Sequence, residues 1–194
     1  MRLKPIAAVM PVVFALLTGC HTTDSSVSNN HFPWVFPHHH HHHMQTMTNG
    51  DIIENFIKIN EAEIRVAGLA KSKSNCPAVK RFAAMMVRDH NQNLHQVRHV
   101  SQVTGIAPTM NSEATRIEEK NAHKLAKLKT LNGRDFDREF AQGMVHCHHK
   151  ALKMLDRAIH DSTNAKLTAY LKATQRDVTK HLHEAEMLMQ KCGM

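Results

Sequence analysis

The sequence has few aromatic residues, 5% of 194, and from residue 51 onward it has no stretch in which apolar and polar residues alternate as in a strand. Such alternation marks a half-buried β-strand, so its absence argues against a β-sheet fold. From residue 51 onward, apolar residues instead recur at three- and four-residue steps, which is the period of an amphipathic helix. The sequence therefore predicts an all-α protein.

Residues 1–19 have the pattern of a lipoprotein signal peptide. Arg2 and Lys4 precede an apolar stretch, Ile6–Leu17, that is too short to cross a bilayer as a mature helix. The segment ends in Leu-Thr-Gly-Cys, which resembles the lipobox of bacterial lipoprotein precursors and implies cleavage before Cys20 and lipidation of its sulfur. An ordinary secretory signal with a chance cysteine is the alternative.

Lipidation of Cys20 would make the membrane a partner of the mature chain, through an N-terminal anchor. His21 follows the cysteine, where an aspartate would favour retention at the inner membrane. We therefore expect the domain on the periplasmic side of the outer membrane of a Gram-negative cell. The formal charge is +8, but Lys and Arg are scattered among Asp and Glu without a basic stripe. Nucleic acid is not an expected partner, and the sequence does not identify a protein partner.

Residues 20–48 are expected to form a flexible, histidine-rich tether, because Ser, Thr, Asn and Pro dominate its first part and cannot build a core. Six consecutive histidines follow. Imidazoles in such a tract bind Cu, Ni or Zn, so the run supplies secondary metal candidates: His38, His39, His40, His41, His42 and His43. An affinity tag explains the same run, and both interpretations stay open.

Residues 49–192 are predicted to form one helical domain. Four long helices are expected at about 51–73, 77–104, 135–160 and 164–190, with a more polar helix at about 112–131. Short connections join the first two and the last two long helices, which makes each pair an antiparallel hairpin. The long middle connection can return along the bundle. This pattern predicts a ferritin-like four-helix bundle of up-down-down-up topology with an extra crossover helix.

A repeated nine-residue pattern supports this topology. Phe-Ala-x-x-Met-Val-x-x-His occurs at Phe82–His90 and again at Phe140–His148. In an up-down-down-up bundle the two helices that carry it are parallel, so both present the same residues to the same core. The histidine that ends each copy is predicted to face inward.

The inward seams of the four long helices carry one potential metal ligand each: Glu63, His90, His148 and His181. A buried imidazole or carboxylate must be hydrogen-bonded, paired or bound to metal. One glutamate and three histidines suit a single Zn or Cu ion, with Fe a weaker case. Met86 and Met144, one turn before two of the histidines, are secondary candidates. The alternative is a structural polar layer in which these histidines fix the helix register.

Di-iron oxidase chemistry is disfavoured. A carboxylate-bridged di-iron site needs Glu-x-x-His on two helices, but Val87, Val145 and Val178 stand three residues before the inward histidines. We therefore expect no enzymatic activity.

Four segments together resemble the bacterial family called domain of unknown function 4142: EIRVAGLA, FAAMMVRDH, GRDFDREFAQGMVHCHH and HLHEAEML. The resemblance covers roughly residues 49–191. It implies a ferritin-like fold in an exported protein, with the characteristic Glu and His positions of the family falling on Glu63, His90, His148 and His181. It implies no activity. The segment GMVHCHHKAL also loosely resembles the Met-x-x-His-His helix of an exported family linked to copper, which adds His149 as a secondary candidate.

Three cysteines remain once Cys20 is lipidated, an odd number in an oxidising compartment. The up-down-down-up topology places Cys76 and Cys192 at the same end of the bundle, so we predict that they are neighbours able to form a disulfide. Cys147 would then be the free thiol, a small core residue rather than a ligand.

These observations predict a membrane-tethered periplasmic bundle that binds a transition metal, copper or zinc, in metal handling or envelope stress. The competing hypothesis is a lipid-anchored interaction protein without metal, whose outer helical face docks a partner.

Overall fold

The computed structural model describes residues 46–191. They form five helices: α1 (Asn49–Lys73), α2 (Pro77–Thr104), α3 (Ser112–Thr130), α4 (Gly133–Asp161) and α5 (Ala165–Lys191). No strand occurs within this range, so the predicted all-α fold is confirmed. Over the same range, no helix combines the length and the apolar character needed to cross a membrane. The predicted signal peptide and lipidated Cys20, most of the tether with His38–His43, and Cys192 lie outside the described residues.

Local sequence signals explain where the helices begin and end. Thr48 accepts a hydrogen bond from the Asp51 amide, and the Asp51 side chain accepts one from the Thr48 amide, which closes a capping box at the start of α1. Pro77 opens α2 at a position where its missing N–H costs no helical hydrogen bond. Gly105 ends α2 in the left-handed conformation, with φ of 69°. These signals set the lengths of the helices and therefore the depth of the residues in the bundle.

Two apolar clusters, one toward each end of the bundle, show in which direction each helix runs. One cluster combines the C-terminal ends of α1 and α5 with the N-terminal ends of α2 and α4, and in it the rings of Phe82 and Phe140 lie 6.1 Å apart. The other cluster combines the opposite ends of the same four helices, with Ile52, Val97 and Leu155 among its members. Helices α2 and α4 therefore run parallel, and α1 and α5 run against them. This is the predicted up-down-down-up order.

The crossover helix α3 lies along the groove between α1 and α4. Where it begins, the Thr109 amide donates to the Gly50 carbonyl at 3.0 Å, near the start of α1. Where it ends, Lys73 donates to the carbonyl of Lys129, near the end of α1. Helix α3 therefore runs beside α1 over its full length, and it covers one side of the bundle centre.

Of the cysteines in residues 46–191, Cys76 is disulfide-bonded and Cys147 is a free thiol. The partner of Cys76 is therefore not among the described residues. Its predicted partner, Cys192, lies outside them, and that pairing stays a prediction.

Candidate metal centre

Three histidines meet at the centre of the bundle, between the two apolar clusters. His90, His148 and His181 come from α2, α4 and α5, and they are 6%, 2% and 3% exposed. Their ring centroids lie 5.4–6.1 Å apart. One nitrogen from each ring lies within 4.8 Å of the corresponding nitrogens of the other two. We call this group the histidine cluster.

The contact between His90 and Asn60 shows which ring nitrogen of His90 carries the proton. The Asn60 side-chain amide donates to the Phe56 carbonyl at 2.7 Å and to Asn93 Oδ1 at 2.9 Å, so its N–H₂ end is engaged. Its Oδ1 therefore faces His90 Nδ1, at 2.9 Å. An amide oxygen can only accept, so Nδ1 carries the proton and Nε2 keeps its lone pair.

The other two histidines are held in the same way. His148 Nδ1 lies 2.8 Å from the carbonyl oxygen of Met144, which leaves the lone pair on Nε2. His181 Nε2 lies 3.1 Å from Asp89 Oδ2, which leaves the lone pair on Nδ1. In each ring one nitrogen donates outward to an oxygen, as in metal-binding histidines, where such a bond fixes the tautomer and the ring orientation.

The three remaining nitrogens are buried acceptors without donors. Nε2 of His90, Nε2 of His148 and Nδ1 of His181 have no hydrogen-bond partner among the described residues. Three lone pairs cannot satisfy one another. The cluster therefore offers three convergent electron-pair donors.

A polar layer beside the cluster provides a contrast. Asn93 donates to Thr174 Oγ1 at 2.8 Å and accepts from the Tyr170 hydroxyl at 2.6 Å and from Asn60. This layer meets the hydrogen-bonding needs of its own side chains, as a structural polar layer should. The histidine cluster adjoins this layer through the contact between Asn60 and His90, but it leaves three ring nitrogens without partners among the described residues.

Two of the histidines, His90 and His148, are held in the neutral form at neutral pH. Burial lowers the pKa of His90 to about 4, against the opposing influence of Glu63. Burial also lowers the pKa of His148, again opposed by Glu63. Neutral imidazole is the form that binds metal, so the cluster needs little proton release to act as a ligand set.

Glu63 lines the same cavity as the cluster and is buried, but its carboxylate is not part of the group of atoms within 4.8 Å. Burial alone would raise the pKa of Glu63, but Lys124 and then the three histidines outweigh it and lower that pKa. Its Oε2 has no hydrogen-bond partner among the described residues. Glu63 therefore presents a buried carboxylate beside the cluster.

The structure places three of the secondary candidates, and of these His149 lies away from the cluster. His149 is exposed on the outer face of α4, with Nε2 3.8 Å from Glu186. Met86 and Met144 are fully buried in the apolar cluster that holds Phe82 and Phe140. The run His38–His43 lies outside the described residues.

The spacing of the cluster is somewhat wider than that of an occupied single-ion site. In a tetrahedral site with bonds of about 2.0–2.1 Å to histidine, the nitrogens lie roughly 3.4 Å apart. The observed upper limit is 4.8 Å, so closure around an ion requires shifts of about 1 Å, which small side-chain rotations supply.

Three residues around the cluster were not predicted from the sequence as site residues: Asn60, Asp89 and Lys124. Asp89 directly precedes His90, but its partner His181 comes from another helix, so spacing along α2 gives no signal. Lys124 reaches the cavity from α3, where Lys is ordinary on a polar face. The one available signal is Gly143 in the middle of α4, because a glycine inside a helix often leaves room for a neighbour.

A comparison with family models matches residues 36–188 to the family described as "Domain of unknown function (DUF4142)". Neither the curated proteins nor the solved structures gave a significant match. The matched range includes Glu63 and all three residues of the histidine cluster. The chain therefore belongs to the DUF4142 family of domains of unknown function.

Proposed function

We propose that this protein binds one transition-metal ion, copper or zinc, in the histidine cluster, and that it serves in metal handling or envelope stress. Lipidated Cys20 would hold it on the periplasmic side of the outer membrane. The observation that carries the metal proposal is the orientation of the three rings, each of which donates outward with one nitrogen and leaves the other as a buried, inward lone pair.

The arrangement favours metal binding over a purely structural role. A buried acceptor needs a donor or an electron-pair acceptor, and no described side chain supplies one to these three nitrogens. A polar layer that only fixed helix register would pair donors with acceptors, as the adjacent layer around Asn93 does. An electron-pair acceptor such as a metal ion satisfies all three nitrogens at once.

The donor set favours copper or zinc over iron. Imidazole nitrogens suit Zn and Cu, whereas a di-iron centre needs several carboxylates, and no carboxylate belongs to the group of described ligand atoms within 4.8 Å. Burial and then Glu63 raise the pKa of Cys147, so this thiol is not a ready thiolate ligand. Glu63 is the natural candidate to complete the set when a side-chain movement brings it to the ion.

Metal analysis of the mature chain tests the proposal. The six histidines from His38 to His43 are first replaced by serine, so that binding at the run does not contribute. After loading with Zn or Cu and removal of excess ion, about one equivalent should remain in this background. His148→Ala should bring the content below about a tenth of an equivalent, because one of the three nitrogens is lost.

The matched control is His149→Ala, which removes an exposed histidine from the same helix. It should retain the full equivalent. Circular dichroism of both variants checks that the bundle is folded. Equal metal content in the folded His148→Ala and His149→Ala variants would show that the cluster is not the metal site.

A further inference from the structure

The crossover helix α3 places a lysine in the cavity beside the histidine cluster. Lys124 Nζ lies 3.0 Å from Cys147 Sγ and 3.3 Å from the Gly143 carbonyl oxygen, both on α4. An ammonium group has three N–H donors, and these two contacts use two of them. No acceptor among the described residues takes the third.

Gly143 makes the position of this lysine specific. A Cβ atom at residue 143 would lie 2.9 Å from Cε of Lys124 and 3.3 Å from its Nζ. Every other side chain would therefore push Lys124 out of its present position. A glycine in a helix interior costs about 1 kcal/mol relative to alanine, and here the missing side chain accommodates the lysine.

The ammonium group is charged and close to the candidate metal centre. Burial alone would lower the pKa of Lys124, but Glu63 and then Cys147 outweigh it and raise that pKa. Glu63 interacts with Lys124 through its charge, yet no carboxylate oxygen of the described residues lies within the ion-pair distance of 4.0 Å from Nζ. The Glu63 carboxylate and the Lys124 ammonium group therefore line the same cavity but do not form a direct ion pair.

The charges around the centre balance only without an ion. Among the charged side chains nearest the centre, the charge of Glu63 offsets that of Lys124, and the charge of Asp89 offsets that of Arg88, its partner at 2.7 Å. A divalent ion would leave an excess of two positive charges in a largely buried site. Buried charge that is not compensated is costly, so the loaded centre should attract anions.

The cavity has room for such a ligand. Its volume is about 1410 Å³, and its lining includes Glu63, Lys124, Cys147 and the histidine cluster. That is far more space than one ion and its protein ligands fill. Exposed residues such as Lys120 belong to the same lining, so the cavity is open to solvent.

We propose that Lys124 and the metal ion together form a binding site for a small anion, which occupies the cavity between α1, α3 and α4. The ion attracts one end of the anion and the free N–H of Lys124 donates to the other. This inference rests on the proposed metal binding and adds a ligand class to it.

Azide binding to the copper-loaded protein tests the inference. The full mature chain with His38–His43 replaced by serine is loaded with Cu(II) and titrated with azide, and the charge-transfer absorption of the azide–copper pair is recorded. Lys124→Met keeps the length of the side chain and removes its charge. It should weaken azide binding at least about tenfold and leave copper affinity equal or higher, because a nearby cation is gone.

Two further variants sharpen the test. Lys120→Met removes an exposed cation one turn earlier on α3 and should leave the azide affinity within about twofold, since exposed charges are screened. Gly143→Ala displaces Lys124 without changing any charge, and it should weaken azide binding in the same direction as Lys124→Met. Metal content and circular dichroism are measured for each variant.

The outcomes separate the two proposals. If copper binds but azide does not, or binds equally well to wild type and Lys124→Met, the anion site is refuted and the metal centre stands. If copper does not bind the cluster, both proposals fall. If azide binding weakens in Lys124→Met and Gly143→Ala but not in Lys120→Met, the anion site is established.

Discussion

The contact between Asp89 and His181 should tune the affinity of the proposed metal centre. Asp89 Oδ2 accepts a hydrogen bond from His181 Nε2 at 3.1 Å, which turns Nδ1 toward the cluster and makes the ring more basic. Asp89→Asn keeps the shape and an oxygen acceptor but removes the negative charge. Loss of such a partner typically costs 10- to 100-fold in metal affinity, or about 1.4–2.8 kcal/mol.

The surroundings of Asp89 place the expected loss of metal affinity near the tenfold end of this range. Arg88 Nε lies 2.7 Å from Asp89 Oδ1, so part of the carboxylate charge is already offset. We therefore expect about a tenfold weaker affinity for Zn, or about 1.4 kcal/mol. Because Asp89 is partly exposed, the metal-free stability should change by less than about 1 kcal/mol.

A competition titration against a chelator of known affinity measures this loss, again in the background without His38–His43. The matched control is Asp177→Asn, which removes the same charge from an exposed residue of the same cavity lining. Asp177 makes no hydrogen bond or ion pair to the other described residues, so its variant reports only the general effect of one lost charge. Equal affinities in the two variants would refute the proposed role of Asp89.

Three changes should affect stability in ways that urea denaturation can measure. Phe140→Ala removes a fully buried ring and should lower the free energy of unfolding by about 3–5 kcal/mol; a loss below about 1 kcal/mol would contradict this packing. Tyr170→Phe removes the 2.6 Å hydrogen bond to Asn93 and should cost about 1–2 kcal/mol, while an unchanged stability would show that the bond contributes nothing. A hydrogen bond from His160 lowers the pKa of Asp161 below its ordinary 3.8, so this carboxylate stabilises the fold above pH 3.8 and loses that effect as the pH falls through the lowered value. The difference between wild type and Asp161→Asn should therefore shrink below pH 3.8, and a constant difference would argue against the linkage.

The sequence was sufficient to predict the helices and the inward positions of the three histidines. Apolar periodicity and end signals such as Pro77 and Gly105 are local, and the observed helix bounds lie within two residues of the predicted ones. The repeat ending in His90 and His148 correctly indicated two parallel helices with the same inward face. Helical periodicity also placed His181 on an inward face, because a residue on a long amphipathic helix has few other places to point.

The contacts around the cluster could not be predicted from the sequence. The pairing of Asp89 with His181 depends on how α2 and α5 are rotated about their own axes, which a hydrophobic pattern defines only coarsely. The reach of Lys124 into the cavity depends on the lateral position of α3, which no local signal gives. For the same reason the sequence could not show that Glu63, though buried as expected, does not bring a carboxylate oxygen into the group of ligand atoms within 4.8 Å.

The helices contribute unequally to the histidine cluster, and this affects how the bundle can move. The three histidines belong to α2, α4 and α5, so a bound ion would join these helices as a cross-link and oppose the separation of any one of them. Amide hydrogen exchange in the middle of these helices should then slow together on metal loading. Helix α3 contributes no histidine to the cluster, although Lys124 lines its cavity. Outward movement of α3 alone would widen the cavity beside the centre and leave all three ligands in place, which gives an ion or an anion a route for exchange that does not require the bundle to come apart.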